Sequence, residues 1–112
     1  MKVLLDVGVS PRSRLPLQAA LDDTPVESAV YHRWRSLGDA ELLAEASAEG
    51  FPVLVTTDKR LAEQQRHPGL AVLAVDDNRL SSLREALPDI ARAIHSLAPG
   101  GHALITTNSD QS

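Results

Sequence analysis

The stretch Pro52-Val53-Leu54-Val55-Thr56-Thr57-Asp58-Lys59-Arg60-Leu61 decides how this chain folds. Its unbroken apolar run reads as a strand buried on both faces, and such strands belong to parallel sheets covered by helices. The run stops at Thr57-Asp58, where a short polar side chain can cap the helix that Lys59 opens. A buried strand passing through an acid into a helix is half of a βαβ unit.

The flanking sequence repeats this alternation. Before it, Asp39–Glu49 predicts a helix with Leu42, Leu43 and Ala46 on its apolar face, Glu41, Glu45 and Glu49 in solvent, and Gly50 as the stop. After it, Lys59–Arg66 predicts a short helix closing at His67-Pro68-Gly69, and the wholly apolar Ala71–Val75 a further buried strand. Asp76-Asp77-Asn78 then supplies a turn and cap. Leu80, Leu83, Leu87, Ile90, Ala91, Ile94 and Leu97 keep helical spacing, with Pro88 predicting a kink or the opening of a second helix. Pro99-Gly100-Gly101 ends that helix, and His102–Thr107 is the last predicted strand.

At the other end, Lys2–Leu5 is a strand that stops at Asp6 and Gly8. Ser10-Pro11 opens a helix that Pro16 shortens or kinks, and Val26–Tyr31 is a second strand. The alternation predicts an α/β fold: three layers, α/β/α, around a mostly parallel central sheet joined by right-handed crossovers. Residues 1–107 form one domain, and Asn108–Ser112 a polar tail.

Composition agrees with that scale. The chain has 112 residues, 43% of them hydrophobic, and only one each of Trp, Tyr and Phe, so leucine, valine and alanine must build the core. It has no cysteine, which excludes disulfides and thiolate metal sites. No apolar run approaches the roughly 20 residues of a membrane span. Asp6 interrupts the first apolar run too early for a signal peptide, so the expected compartment is the cytoplasm, away from membranes.

In open α/β sheets, functional groups gather beyond the carboxyl ends of the strands. Asp6 follows the first strand, Asp39 opens the helix after the second, Asp58 follows the third, and Asp76 and Asp77 follow the fourth. Each has a plain structural use, as turn residue, helix cap or first-turn charge. Their joint convergence on one sheet edge would favour a bound cation, because like charges brought together are costly. Oxygen-only ligands suit Mg²⁺ or Mn²⁺, and such ions support phosphodiester hydrolysis. Arg12, Arg14, Arg33, Arg35, Lys59, Arg60 and Arg79 all follow predicted strands, so a positive rim for a phosphate backbone is expected despite the net charge of −4. Trp34 is a packing residue first and a base-stacking candidate second.

Met1-Lys2-Val3-Leu4-Leu5-Asp6, Leu37-Gly38-Asp39-Ala40-Glu41-Leu42-Leu43 and Val53-Leu54-Val55-Thr56-Thr57-Asp58-Lys59-Arg60-Leu61 together resemble small bacterial PIN-like proteins, which are related to VapC-type toxin nucleases. The likeness covers nearly the whole chain. It implies a PIN-like fold and a metal-dependent endoribonuclease in which Asp6, Asp39 and Asp58 form the catalytic and metal site, with Asp76 or Asp77 as a fourth acid. It also implies an RNA substrate, a small antitoxin protein as partner, and a homodimer. Lys59, Arg60, Arg12, Arg33 and Arg35 would contact the RNA. Relatives often carry an acid or amide soon after the first aspartate, where this chain has Val7 and Gly8. Two other readings stand beside it: an inert PIN-like scaffold for a partner protein, and a phosphoacceptor receiver domain. The latter calls for an acid pair after the first strand and a lysine after the last, and this chain supplies neither.

Overall fold

The computed structural model describes residues 1–34, 36–64, 67–77 and 79–106. Arg35, Gln65, Arg66, Asn78, Thr107 and the tail 108–112 lie outside the described residues. The strands are β1 (Val3–Leu5), β2 (Val26–Ser28), β3 (Val53–Thr56), β4 (Ala71–Val75) and β5 (His102–Ile105). The helices are α1 (Arg14–Ala20), entered through a 3₁₀ turn at Pro11–Ser13, α2 (Asp39–Ala48), α3 (Lys59–Gln64) and α4 (Leu80–Ser96). All strand pairs are parallel, in the order β2-β1-β3-β4-β5. Helices cover both faces, giving three α/β/α layers compatible with the PIN-like arrangement.

Strand alternation divides the core. Val3, Leu5, Val53, Val55, Leu73 and Val75 point to the face carrying α1 and α4, where Leu17, Leu21, Leu83, Ile90 and Ile94 meet them. Leu4, Leu54, Val72 and Ala74 point to the face carrying α2 and α3, with Leu42, Leu43, Phe51 and Leu61.

That division has a topological consequence. The step from β1 to β2 goes one way along the sheet and carries α1 on one face. The steps from β2 to β3 and from β3 to β4 go the other way and carry α2 and α3 on the opposite face, so these three crossovers share one hand. The step from β4 to β5 continues in the same direction, yet α4 lies on the α1 face. Its hand is therefore opposite, against the expectation that all crossovers share the right-handed sense. The reason is coverage. The short α1 shields only part of its face, and α4 is the element left to bury Val53, Val55, Leu73 and Val75. Each fully buried leucine or isoleucine it contributes is worth about 1.5–3 kcal/mol.

The structure also places three local features more closely. Pro88 neither splits nor ends α4, which runs as one helix from Leu80 to Ser96. Pro88 and Arg84 both face solvent, so the Arg84 carbonyl that loses its intrahelical donor stays open to water. The strand expected to reach Tyr31 stops at Ser28, whose hydroxyl accepts from the Val30 N–H at 3.2 Å and turns the chain into a 3₁₀ segment, Ala29–His32. Pro16 falls in the first turn of α1, where a missing N–H costs nothing. Among the described residues no helix is long and apolar enough to cross a membrane.

Candidate functional site

In the order 2-1-3-4-5 the chain direction reverses between β1 and β3, and ligands of doubly wound sheets bind in the crevice outside the strand ends at that switch point. Asp6 and Asp58 stand there. Leu5 pairs with Val55, and the Asp6 N–H continues the ladder to the Val55 carbonyl at 2.8 Å.

Asp6 is 9% exposed and accepts two short bonds, from the Thr56 hydroxyl to Oδ2 at 2.6 Å and from the Val7 N–H to Oδ1 at 2.7 Å. The Thr56 oxygen accepts in turn from the Asp58 N–H at 3.0 Å. Asp58 is exposed, and its Oδ1 accepts from the N–H groups of Arg60 and Leu61, capping α3. A single hydroxyl thus links the Asp6 carboxylate to the main-chain N–H of Asp58, whose own carboxylate turns to α3. Its sequence signal is the threonine that closes an otherwise aliphatic strand, and only the fold shows what that hydroxyl bonds.

Gly8 belongs to the same crevice. A Cβ there would stand 3.0 Å from the Thr57 hydroxyl, so glycine lets the loop after β1 lie against the loop after β3.

The other acids are disposed differently. Asp39 is exposed in the first turn of α2, and among the described residues its carboxylate has no hydrogen-bond partner; the Gly38 N–H beside it is taken by Glu41. Asp77 accepts from the Arg79 guanidinium at 2.7 and 2.9 Å, from the Arg79 N–H, and from the Ser82 hydroxyl at 3.0 Å. Its oxygens are committed to the start of α4. Asp76 is exposed, and its N–H binds the Ile105 carbonyl. Among the described residues, no group of three or more His, Asp or Glu side chains is placed to hold a metal ion. Asp6 and Asp58 are brought together; Asp39, Asp76 and Asp77 do not complete a ligand set with them.

The Arg79 side-chain hydrogen bonds, with its backbone N–H, hold the Asp77 carboxyl down at about 2 from its ordinary 3.8. A folded-state value below the unfolded one gives a contribution to stability that is complete above the unfolded value. That contribution fades as pH falls toward the folded one. Chemical unfolding should therefore show Asp77→Asn less stable than wild type at neutral pH, with the gap closing between about pH 5 and pH 2. A gap independent of pH across that window would disprove the assignment.

The basic rim is thinner than expected. Arg12 and Arg60 are exposed beside the loops after β1 and β3. Arg14 instead donates to the Val26 carbonyl at 3.3 Å, and Arg79 is held by Asp77. Arg33 is exposed in a left-handed conformation with φ 62°. Lys59 lines a hollow over β5. Trp34 stacks on His32 at 4.6 Å and meets Phe51 edge-on at 6.4 Å, which supports its reading as packing.

Comparison with protein-family models, with curated proteins and with solved structures finds no match for this chain.

Proposed function

We propose that the chain is a metal-dependent endoribonuclease that hydrolyses RNA phosphodiester bonds at the edge where β1 and β3 end. The observation carrying this reading is the Asp6–Thr56–Asp58 chain of hydrogen bonds at the switch point of a wholly parallel sheet. The role as toxin of a toxin–antitoxin pair, acting in the cytoplasm on RNA and restrained by a small antitoxin, rests on the sequence resemblance alone.

The donor set fits a Mg²⁺ or Mn²⁺ ion that keeps most of its water. Such ions are commonly held by one or two carboxylates and completed by substrate phosphate rather than by an all-protein cage. Asp58 has Oδ2 uncommitted among the described residues, and each Asp6 oxygen accepts only one bond. A bound ion there would supply a nucleophilic water and charge neutralisation. The chain's own part is orientation: Thr56 fixes the Asp6 carboxylate, α3 fixes Asp58, and Arg12 and Arg60 face the phosphates. In-line attack by water would leave a 5′-phosphate and a 3′-hydroxyl.

Titration calorimetry with Mn²⁺ tests the reading. Asparagine caps helices about as well as aspartate, so Asp58→Asn should keep α3 intact while weakening ion binding at least about ten-fold. Absence of any binding to wild type would count against the metal site.

A second reading, an inert scaffold for a partner protein, is favoured by the lack of a three-acid group among the described residues. Under it, Asp6→Asn and Asp58→Asn would leave the biological effect unchanged. The receiver-domain reading gains nothing beyond the strand order, since no lysine follows β5.

A further inference from the structure

The chain holds one Trp, one Tyr and one Phe, and the fold uses them unequally. Trp34 meets Phe51 edge-on and stacks on His32. Tyr31 instead is 70% exposed, and among the described residues its ring has no aromatic partner and its hydroxyl no hydrogen bond. A bare tyrosine offers a large apolar face with a polar tip. The stacking role that the sequence offers Trp34 thus falls open to the residue three places earlier.

The backbone that carries Tyr31 is fastened on its other side. In the 3₁₀ segment Ala29–His32, Ala29 is fully buried and the Ser28 hydroxyl accepts from the Val30 N–H. His32 Nε2 stands 2.6 Å from Glu27 Oε1, and the His32 ring meets Phe51 edge-on at 5.8 Å. Tyrosine on a fixed backbone has few angles to lose on binding, so it contacts a ligand at low entropic cost. Arg33, in its left-handed conformation, is exposed and has no ion pair among the described residues.

The surrounding charge selects the ligand. Ser28 is level with Leu5 in the parallel register, so the chain leaves β2 at the sheet edge where Asp6 follows β1. The neighbouring strands β2, β1 and β3 are followed by exposed Arg33, Arg12 and Arg60. Glu27, the acid nearest Tyr31 along the chain, is engaged by His32. Cations beside an unoccupied aromatic face suit a flexible polyanion whose bases are free to stack.

We infer that Tyr31 stacks on an unpaired base of the RNA, with Arg33 on an adjoining phosphate. The choice of RNA rests on the nuclease reading above. Every base has a π face, so this contact grips single-stranded RNA without reading its sequence. Tyr31 is a binding residue that holds the strand beside the crevice, apart from the acids that would carry the reaction.

Fluorescence anisotropy tests this with a fluorescein-labelled oligouridine of about ten nucleotides, within the span such surfaces cover. The solution is low in salt and holds Ca²⁺ in place of Mn²⁺, with the probe shown intact on a gel. Tyr31→Ala should weaken binding about ten-fold, Tyr31→Phe should bind like wild type, and Tyr31→Leu, apolar but without a π face, should bind like the alanine variant. A probe of the same length without bases should bind wild type and Tyr31→Ala alike. Arg33→Gln should shallow the dependence of log affinity on log salt by about 0.7. Because Tyr31 is exposed, its variants should keep the wild-type urea midpoint. Equal affinity of wild type and Tyr31→Ala overturns the inference, as does Tyr31→Leu matching Tyr31→Phe, or wild type that binds no oligouridine. Binding that depends on Tyr31 without any cleavage in Mn²⁺ would uphold the stacking site and remove the nuclease reading, so the two failures are told apart.

Discussion

Phe51→Ala is expected to lower the unfolding free energy by about 3–5 kcal/mol, the range for emptying a large aromatic site in a core. Phe51 is 1% exposed and is the only phenylalanine in the chain. Its N–H bonds the Ala46 carbonyl at 2.9 Å, tying the end of α2 to the entrance of β3 after Gly50 turns at φ 88°. Its ring meets His32 edge-on at 5.8 Å and Trp34 at 6.4 Å, with the Lys2 ammonium 4.4 Å above it. Two separate segments, at Lys2 and at His32–Trp34, converge on that one ring, so they cannot easily close around a void. Since a whole domain commands only about 5–15 kcal/mol, the variant should be marginal. Urea unfolding measures the change. Trp34, the single tryptophan, should report it as altered native fluorescence. A loss below about 1 kcal/mol would mean that the cluster collapses or contributes little.

The second large effect concerns Asp6. Asparagine matches its shape but not its hydrogen-bond polarity. Thr56 now donates to Asp6 Oδ2 and accepts from the Asp58 N–H. If the residue at 6 presents an amide NH₂ there, the hydroxyl hydrogen loses its carboxylate acceptor, while the Asp58 N–H still donates to the Thr56 oxygen. Replacing a residue behind a metal ligand typically costs 10–100-fold, so on the proposed nuclease reading, in which Asp6 would itself be a ligand, the variant should cost at least about 100-fold in RNA cleavage. Thr56→Val probes the link itself. It leaves Asp6 Oδ2 and the Asp58 N–H without partners, at about 1–3 kcal/mol of stability. Both variants should be assayed for cleavage and for Mn²⁺ binding. Full cleavage by Asp6→Asn would remove Asp6 from the proposed site, and no cleavage by wild type would favour the scaffold reading.

The apolar runs of β3 and β4 were legible because strands buried on both faces carry an unbroken signal; Ala71–Val75 has the limits its composition marks. The neighbourhood of β1 and β3 was legible through the acids that end them. What escaped is non-local. The face chosen by α4 depends on how much surface α1 leaves bare, which no window of sequence contains. The truncation of β2 depends on one serine hydroxyl turning back on Val30. Lys59 follows a strand as expected, but the direction of α3 turns it toward β5 rather than toward the crevice. The acids after β2 and β4 have the right positions along the chain, yet Asp77 is claimed by Arg79 and Ser82 before any ion could compete.

The close approach at Gly8 also limits how this crevice could be redesigned. An added carboxylate would be the natural way to strengthen the proposed cation site, but at position 8 its first carbon would press on the Thr57 hydroxyl and separate the loops after β1 and β3. Val7, 39% exposed and next to the buried acid, is the position at which a further ligand for the proposed ion would be grafted.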